Sequence, residues 1–254
     1  MSKFLRLLRK DLEASRWPVG ILSGLILLFM LFVRYKISTG WAVESAMITL
    51  ALPLLFFAPW FVWQSFQTLR SEWKEDTVYT LLVLPVPGWY ITLAKLVGLF
   101  VEYTVLLAVT LGGASLILGR IFLELTPPTV PIAWIIRNGF IVYLISLGIL
   151  ASVVIFIQLA FVVSKMVGRF QGLVALWVLV LANWLVGQMG MLLEPLFRWI
   201  PPIPLEQVFR LEQIGLELQR FDYYPAPKIG IWLGTILLFI LTAWLMEHYV
   251  EIND

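Results

Sequence analysis

The sequence predicts an all-α polytopic membrane protein with six transmembrane helices. Hydrophobic residues make up 61% of the 254 residues and charged residues only 13%, about half the ~25% typical of a soluble domain. The mean hydropathy is +0.92, and uncharged runs recur that are close to the ~20 residues needed to cross a bilayer. Because backbone amides in hydrocarbon must hydrogen bond within their own segment, we expect each run to be a helix.

The chain is interpreted as a single transmembrane domain, 1–254. We expect, in order, an interfacial helix at 1–16, span one at 17–36, span two at 45–69, a cytoplasmic loop at 71–88, span three at 89–119, span four at 133–164, span five at 170–193, an outer cap at 194–227 and span six at 228–248.

One further uncharged run, Thr77–Ala94, has 18 residues and resembles a seventh span by hydropathy. Pro85 and Pro87 remove two backbone donors and disfavour a helix just before them. No room for a turn then remains before span three. We therefore predict a short helix at Thr77–Leu84, a proline break and six spans in total.

The first 16 residues have the pattern of an amphipathic helix. Phe4, Leu8 and Leu12 share one helical face, and the basic residues Lys3, Arg6 and Lys10 lie off it. This arrangement suits a helix on the inner headgroups of the bilayer. A basic tail that only sets the topology is the alternative.

The basic residues also orient the chain. Five Lys and Arg residues precede span one, and only Arg34 and Lys36 lie at its other end. Cytoplasmic loops carry the excess of Lys and Arg near membrane ends. With six spans, both the N-terminus and the C-terminus are then cytoplasmic.

The predicted outer cap contains prolines at 195, 201, 202 and 204. After them, Leu205, Val208, Leu211 and Leu218 recur at a spacing that favours a short amphipathic helix. We expect a helical extracellular cap before span six, with a packed loop as the alternative.

A charged patch lies between spans two and three. Five charged residues occupy the seven positions Arg70–Asp76. Ser71 or Asp76 can cap a helix, and acidic residues favour its N-terminus. The apolar residues that follow would give this helix a docking face, and Pro85 would end it. A helix lying flat on the membrane is the alternative.

Within this region the sequence KEDTVYTLLVLPVPGWYITLAK, Lys74–Lys95, resembles the signature loop of the permease subunits of type-2 ABC exporters. The matching positions are Glu75, Thr77, Leu81, Leu82, Pro85, Val86 and Lys95. The chain departs from the family pattern at Asp76, Tyr79, Pro87 and Ala94. The resemblance implies a six-span subunit of an ATP-driven exporter in the plasma membrane, which we expect to be bacterial.

The resemblance also implies partners. In this family the segment Thr77–Leu84 is a coupling helix that docks into a cleft of a separate ATPase subunit. The residues it implies for coupling are Glu72, Glu75, Thr77, Leu81, Leu82 and Pro85. This chain has no G-x-x-x-x-G-K-[ST] loop, so ATP and Mg²⁺ are expected in the partner ATPase and no cofactor in this chain. A second permease, identical or paralogous, is expected to complete the translocation path.

Glu102 is an acidic residue inside predicted span three. It lies seven residues after Lys95, about 10 Å along a helix. An ionisable group at membrane depth is costly and marks either a functional site or a buried pair. We hold two hypotheses for Glu102, a role in the translocation path or gating and a structural polar link. Lys95 at long range or Arg137, if the fold brings it close, could be its partner.

Two other classes of function remain as alternatives. An intramembrane enzyme that modifies lipids or peptides needs clustered catalytic side chains, and His248 in the C-terminal tail is the only histidine. An ion-driven secondary transporter often shows inverted repeats, and none is evident. The net charge of +2 gives no reason to expect nucleic acid. We predict no catalytic residue and no metal ligand.

Overall fold

The computed structural model describes residues 3–74, 87–125, 132–167, 170–212 and 215–248. Its elements are α1 (Lys3–Ser38), α2 (Val43–Leu50), α3 (Leu52–Lys74), α4 (Gly88–Leu125), α5 (Ile132–Val167), α6 (Gln171–Phe197), β1 (Ile203–Glu212), β2 (Gly215–Tyr223) and α7 (Pro225–His248).

The prediction of six membrane-spanning helices is confirmed for the described residues. The candidate spans are Lys3–Ser38, Ile48–Ser71, Gly88–Ile117, Ile136–Val167, Gln171–Phe197 and Pro225–His248. Trp89–Ala94, the end of the run that resembled a seventh span, belongs to α4. The chain is a multi-pass membrane protein.

Helix α1 has no boundary between an interfacial helix and a first span. It is one helix of 36 residues, about 54 Å long at 1.5 Å per residue. Its first part packs on α4: the Phe4 and Tyr90 rings are 6.0 Å apart, and Leu8 and Asp11 approach Gly98. The helix predicted at 1–16 is therefore continuous with the first span, and its apolar face meets α4.

A glycine turn ends α1. Gly40 has φ +101°, and the Trp41 N–H donates to the Lys36 carbonyl at 3.1 Å. This bond spans six residues and closes a Schellman motif, in which a left-handed residue follows the helix. Glycine suits the position because it has no Cβ.

The second span consists of α2 and α3, which are separated only by Ala51. Pro53 follows this break, and Pro59 lies inside α3. Helix α3 then continues to Lys74, so Ser71 is an interior helical residue whose hydroxyl donates to the Thr68 carbonyl. The prediction that Ser71 caps a new helix is wrong. Asp76, the other predicted cap, lies outside the described residues. The predicted coupling helix at Thr77–Leu84 lies outside the described residues.

Residues Met1–Glu124 form one compact unit. In it α1 runs parallel to α4, since Phe4 lies by Tyr90 at one end and Met30 by Gly113 further along. Helix α3 packs on the same stretch of α4 through aromatic edges. The ring of Tyr103 is 5.5 Å from that of Phe61.

Residues Leu125–Asp254 form the second unit. Its core joins α5, α6 and α7 through the buried residues Ile155, Phe156, Leu159, Ala182, Val186 and Leu238. Helices α6 and α7 approach closely at Gly190 and Gly230, where an added Cβ at Gly230 would lie 2.8 Å from the Gly190 Cα. Small residues allow such close packing of membrane helices.

The region predicted as a helical outer cap contains an antiparallel β-hairpin. Strand β1 pairs with β2 from Ile203↔Tyr223 to Glu212↔Gly215, with a register irregularity between Gln207 and Arg210. The predicted helix is therefore wrong. Leu216 and Leu218 alternate with polar residues at the two-residue period of a strand, and only two residues separate the strands, a length typical of hairpins.

Candidate functional site

The candidate site is a buried polar cluster in the first unit. We use the term polar cluster for Asp11, Ser15, Gln64, Lys95 and Glu102. Lys95 and Glu102 are 3% and 4% exposed. They lie seven residues apart on α4, so they share one helical face about 10 Å apart.

Lys95 links α4 to both neighbouring helices. Its Nζ donates to the Thr68 carbonyl of α3 at 3.0 Å and lies 3.9 Å from Asp11 Oδ1 of α1. A buried ion pair offsets its desolvation cost only with good geometry and further hydrogen bonds. The bond to Thr68 supplies such a contact.

Glu102 lies against the same two neighbouring helices. Its carboxylate is beside the Ser15 hydroxyl of α1, which itself donates to the Leu12 carbonyl at 3.3 Å, and beside the Gln64 amide of α3. One carboxylate oxygen, Oε2, is buried and has no hydrogen-bond partner among the described residues. Lys95 and Glu102 of α4 thus each lie against both α1 and α3.

A glycine makes room for the first link. A Cβ at Gly98 would contact the Asp11 Cβ at 3.9 Å and Leu8 Cδ1 at 4.0 Å. Gly98 lies between Lys95 and Glu102 on α4. Helix α1 can therefore approach the face of α4 that carries both side chains. The close approach keeps Asp11 within reach of the Lys95 ammonium.

Lys95 and Thr68 lie on the two helices that precede and follow, in the chain, the segment that carries the exporter-like motif. Thr68 lies in the last turns of α3, which ends at Lys74, and Lys95 lies in the second turn of α4, which begins at Gly88. The Lys95–Thr68 bond therefore joins the two helices on either side of residues 75–86 and connects both to α1.

Of the predicted site residues, the structure places Glu102 in the polar cluster. Glu72 lies in the last turn of α3, and Glu75, Thr77, Leu81, Leu82 and Pro85 lie outside the described residues. Arg137, a predicted candidate partner of Glu102, has an exposed side chain on α5.

Sequence reasoning missed Asp11, Ser15 and Gln64. Gln64 carried a usable signal, since it is a polar side chain inside an uncharged run. Asp11 and Ser15 gave none, because they lie in a segment that was interpreted as interfacial.

We expect Glu102→Ala to lower the free energy of unfolding by roughly 1–3 kcal/mol, because it removes the carboxylate that the buried Ser15 and Gln64 side chains face. Glu102→Gln should cost less, since its amide oxygen still accepts a hydrogen bond. Thermal unfolding of the purified protein followed by tryptophan fluorescence measures both. Equal losses for the two variants would contradict the hydrogen-bonding role.

The polar cluster can hold three helices in a fixed arrangement. Among the described residues no group of three or more His, Cys, Asp or Glu side chains is placed to bind a metal ion. No protein-family model, curated protein sequence or solved structure matches this chain.

Proposed function

We propose that this chain is the membrane-spanning subunit of an ATP-driven ABC exporter. It forms the translocation path as a dimer of permeases and is coupled to separate ATPase subunits, which bind ATP and Mg²⁺. The observation that carries this proposal is the hydrogen bond from Lys95 to the Thr68 carbonyl, which joins the two helices that residues 75–86 connect in the chain. The resemblance of Lys74–Lys95 to the exporter signature supports it independently.

The polar cluster suits a mechanical connection. A partner that moves residues 75–86 acts on the ends of α3 and α4. Because Lys95 joins these helices to each other and to α1, the three helices would move together instead of bending separately. ATP binding would thereby shift the equilibrium between inward-open and outward-open states.

The proposal includes an orientation. Both termini and residues 75–86 face the cytoplasm of a bacterial cell, and the β-hairpin faces outward. The basic residues before the apolar part of α1 favour this topology. Accessibility of single introduced cysteines to a membrane-impermeant reagent tests it cleanly, because the chain has no cysteine of its own.

We expect the double variant Leu81→Ala, Leu82→Ala to lose its ATPase partner, because these residues supply the apolar docking face. The tagged chain is purified from its native host in mild detergent, and ATP hydrolysis and co-purified subunits are measured. Leu192→Ala serves as the control, since this leucine is 74% exposed on α6.

Retention of the same ATPase by the double variant would contradict the docking role. Recovery of the wild-type chain without any subunit that hydrolyses ATP would contradict the proposal as a whole. Transport by the purified chain alone, driven by an ion gradient in proteoliposomes, would favour a secondary transporter instead.

A further inference from the structure

An exposed amide side chain lies at the middle of helix α6. Asn183 is within one residue of the midpoint of the span Gln171–Phe197. At 1.5 Å per residue it is about 18 Å from the first residue of the helix and about 21 Å from the last. It therefore lies near the centre of the hydrocarbon core, which is roughly 30 Å thick. The side chain of Asn183 is exposed on the helix surface and is too short to reach either headgroup region.

Asn183 makes no hydrogen bond to any of the described residues. Exposed hydroxyl groups in another span are satisfied by their own helix: Thr104 donates to the Phe100 carbonyl at 2.7 Å, and Ser115 donates to the Gly112 carbonyl at 2.8 Å. A side-chain amide has two N–H donors and an acceptor oxygen, and hydrocarbon offers no water to satisfy them. A polar partner at the same depth would remove this cost.

The face of α6 that carries Asn183 is open. Four residues form it, at successive intervals of four, three and four positions: Leu176, Val180, Asn183 and Gly187. We call them the α6 seam, because this is the spacing of a seam between two packed helices. Leu176 and Val180 are 63% and 50% exposed, and an added Cβ at Gly187 would meet no atom within 4 Å. Small residues such as glycine or alanine at this position let two membrane helices approach closely.

A second copy of this chain supplies the matching polar group. Every copy enters the membrane in the same direction, because the same basic residues orient it. A two-fold axis between two copies then runs along the membrane normal and brings each residue of the contact to the depth of its own copy. Two asparagine amides are self-complementary, since the N–H of each donates to the carbonyl oxygen of the other. A lipid chain offers neither group.

We propose that the α6 seam is the contact between two copies of this chain, with the two Asn183 amides hydrogen bonded to each other at the centre of the membrane. A single asparagine between packed helices fixes their register and their number in the same way. The proposal rests on the proposed function for the role of the dimer, which is the translocation path, and it makes the second permease an identical copy.

Cross-linking in membranes tests the contact. Because the chain has no cysteine, Val180→Cys introduces a single thiol into the α6 seam and leaves Asn183 in place. Mild oxidation should link most copies into disulfide-bonded dimers, which are visible on a non-reducing gel. Leu181→Cys is the matched control. Leu181 is at nearly the same depth and is 54% exposed, but it lies about 100° further round the helix, so this variant should stay monomeric.

The affinity of the dimer tests the amide pair. The full-length chain is labelled at its N-terminus with donor or acceptor fluorophores and reconstituted in phosphatidylcholine vesicles, and energy transfer is measured as lipid is added. Asn183→Leu keeps the size of the side chain but removes the amide, and it should weaken the dimer roughly tenfold. Asn183→Gln retains a self-complementary amide and should recover most of this loss. Leu192→Ala, on the opposite side of α6, should change nothing.

Absence of a disulfide-bonded dimer of Val180→Cys, equal cross-linking of Leu181→Cys, or an unchanged dimer affinity in Asn183→Leu would each overturn the proposal. Absence of energy transfer in the wild-type chain at every dilution would overturn it as well. Neither measurement needs an ATPase, so a failure here leaves the exporter proposal standing with a paralogue as the second permease. A dimer that passes both tests but never recruits an ATPase would support the α6 seam and contradict only the exporter function.

Discussion

Replacing Lys95 with methionine should lower the free energy of unfolding by about 3–5 kcal/mol, the usual cost of removing one partner of a buried ion pair. Methionine keeps the apolar stem but removes the ammonium that approaches Asp11 and donates to the Thr68 carbonyl. Denaturant unfolding of the purified protein in detergent, followed by tryptophan fluorescence, measures the loss. In the exporter assembly that we propose, the same variant should also reduce the stimulation of ATP hydrolysis by cargo.

A double-mutant cycle separates the ion pair from a general packing effect. Asp11→Asn removes the carboxylate that Lys95 approaches, so both single variants disrupt the same contact. The double variant should therefore lose less stability than the sum of the losses in the two single variants. We expect the coupling between the two sites to be at least ~1 kcal/mol. Strict additivity would mean that the 3.9 Å approach of Lys95 to Asp11 contributes nothing to stability.

Replacing Gly230 with alanine should cost roughly 1–3 kcal/mol, because it overpacks the contact of α6 and α7. The new Cβ would lie 2.8 Å from the Gly190 Cα and 2.9 Å from the Met189 carbonyl oxygen. Both are backbone atoms, so the two helices must separate. The midpoint of thermal unfolding should fall accordingly.

Gly187→Ala is the matched control for that experiment. It is on α6, three residues before Gly190, and an added Cβ there meets no neighbouring atom within 4 Å. Alanine is also the better helix former in the absence of a clash. A loss of stability at Gly187 as large as that at Gly230 would show that helix contact does not explain the effect.

The six spans followed from local composition. Each apolar run has a favourable free energy of transfer into the membrane whatever its neighbours do, so its length and position could be predicted without a fold. The same reasoning marked Glu102 as an important residue, because a carboxyl group in hydrocarbon needs an explanation.

Local patterns failed where two structures fit the same residues. Leu205, Val208 and Leu211 match a helical face, yet Ile203–Glu212 and Gly215–Tyr223 form two antiparallel strands. Likewise, the apolar face of residues 4–12 fits a headgroup surface as well as it fits α4. A partner surface decides between such alternatives, and an amphipathic pattern does not identify that surface.

The sequence by itself determined that this chain crosses a membrane with six helices and that Lys95 and Glu102 are unusual within it. Only the tertiary structure decided which groups lie against them: Asp11, Ser15 and Gln64 come from segments 30 to more than 80 residues away along the chain. Hydropathy is a property of each segment, whereas a hydrogen bond between helices depends on their packing and rotation. For that reason the spans were predictable and the polar cluster was not.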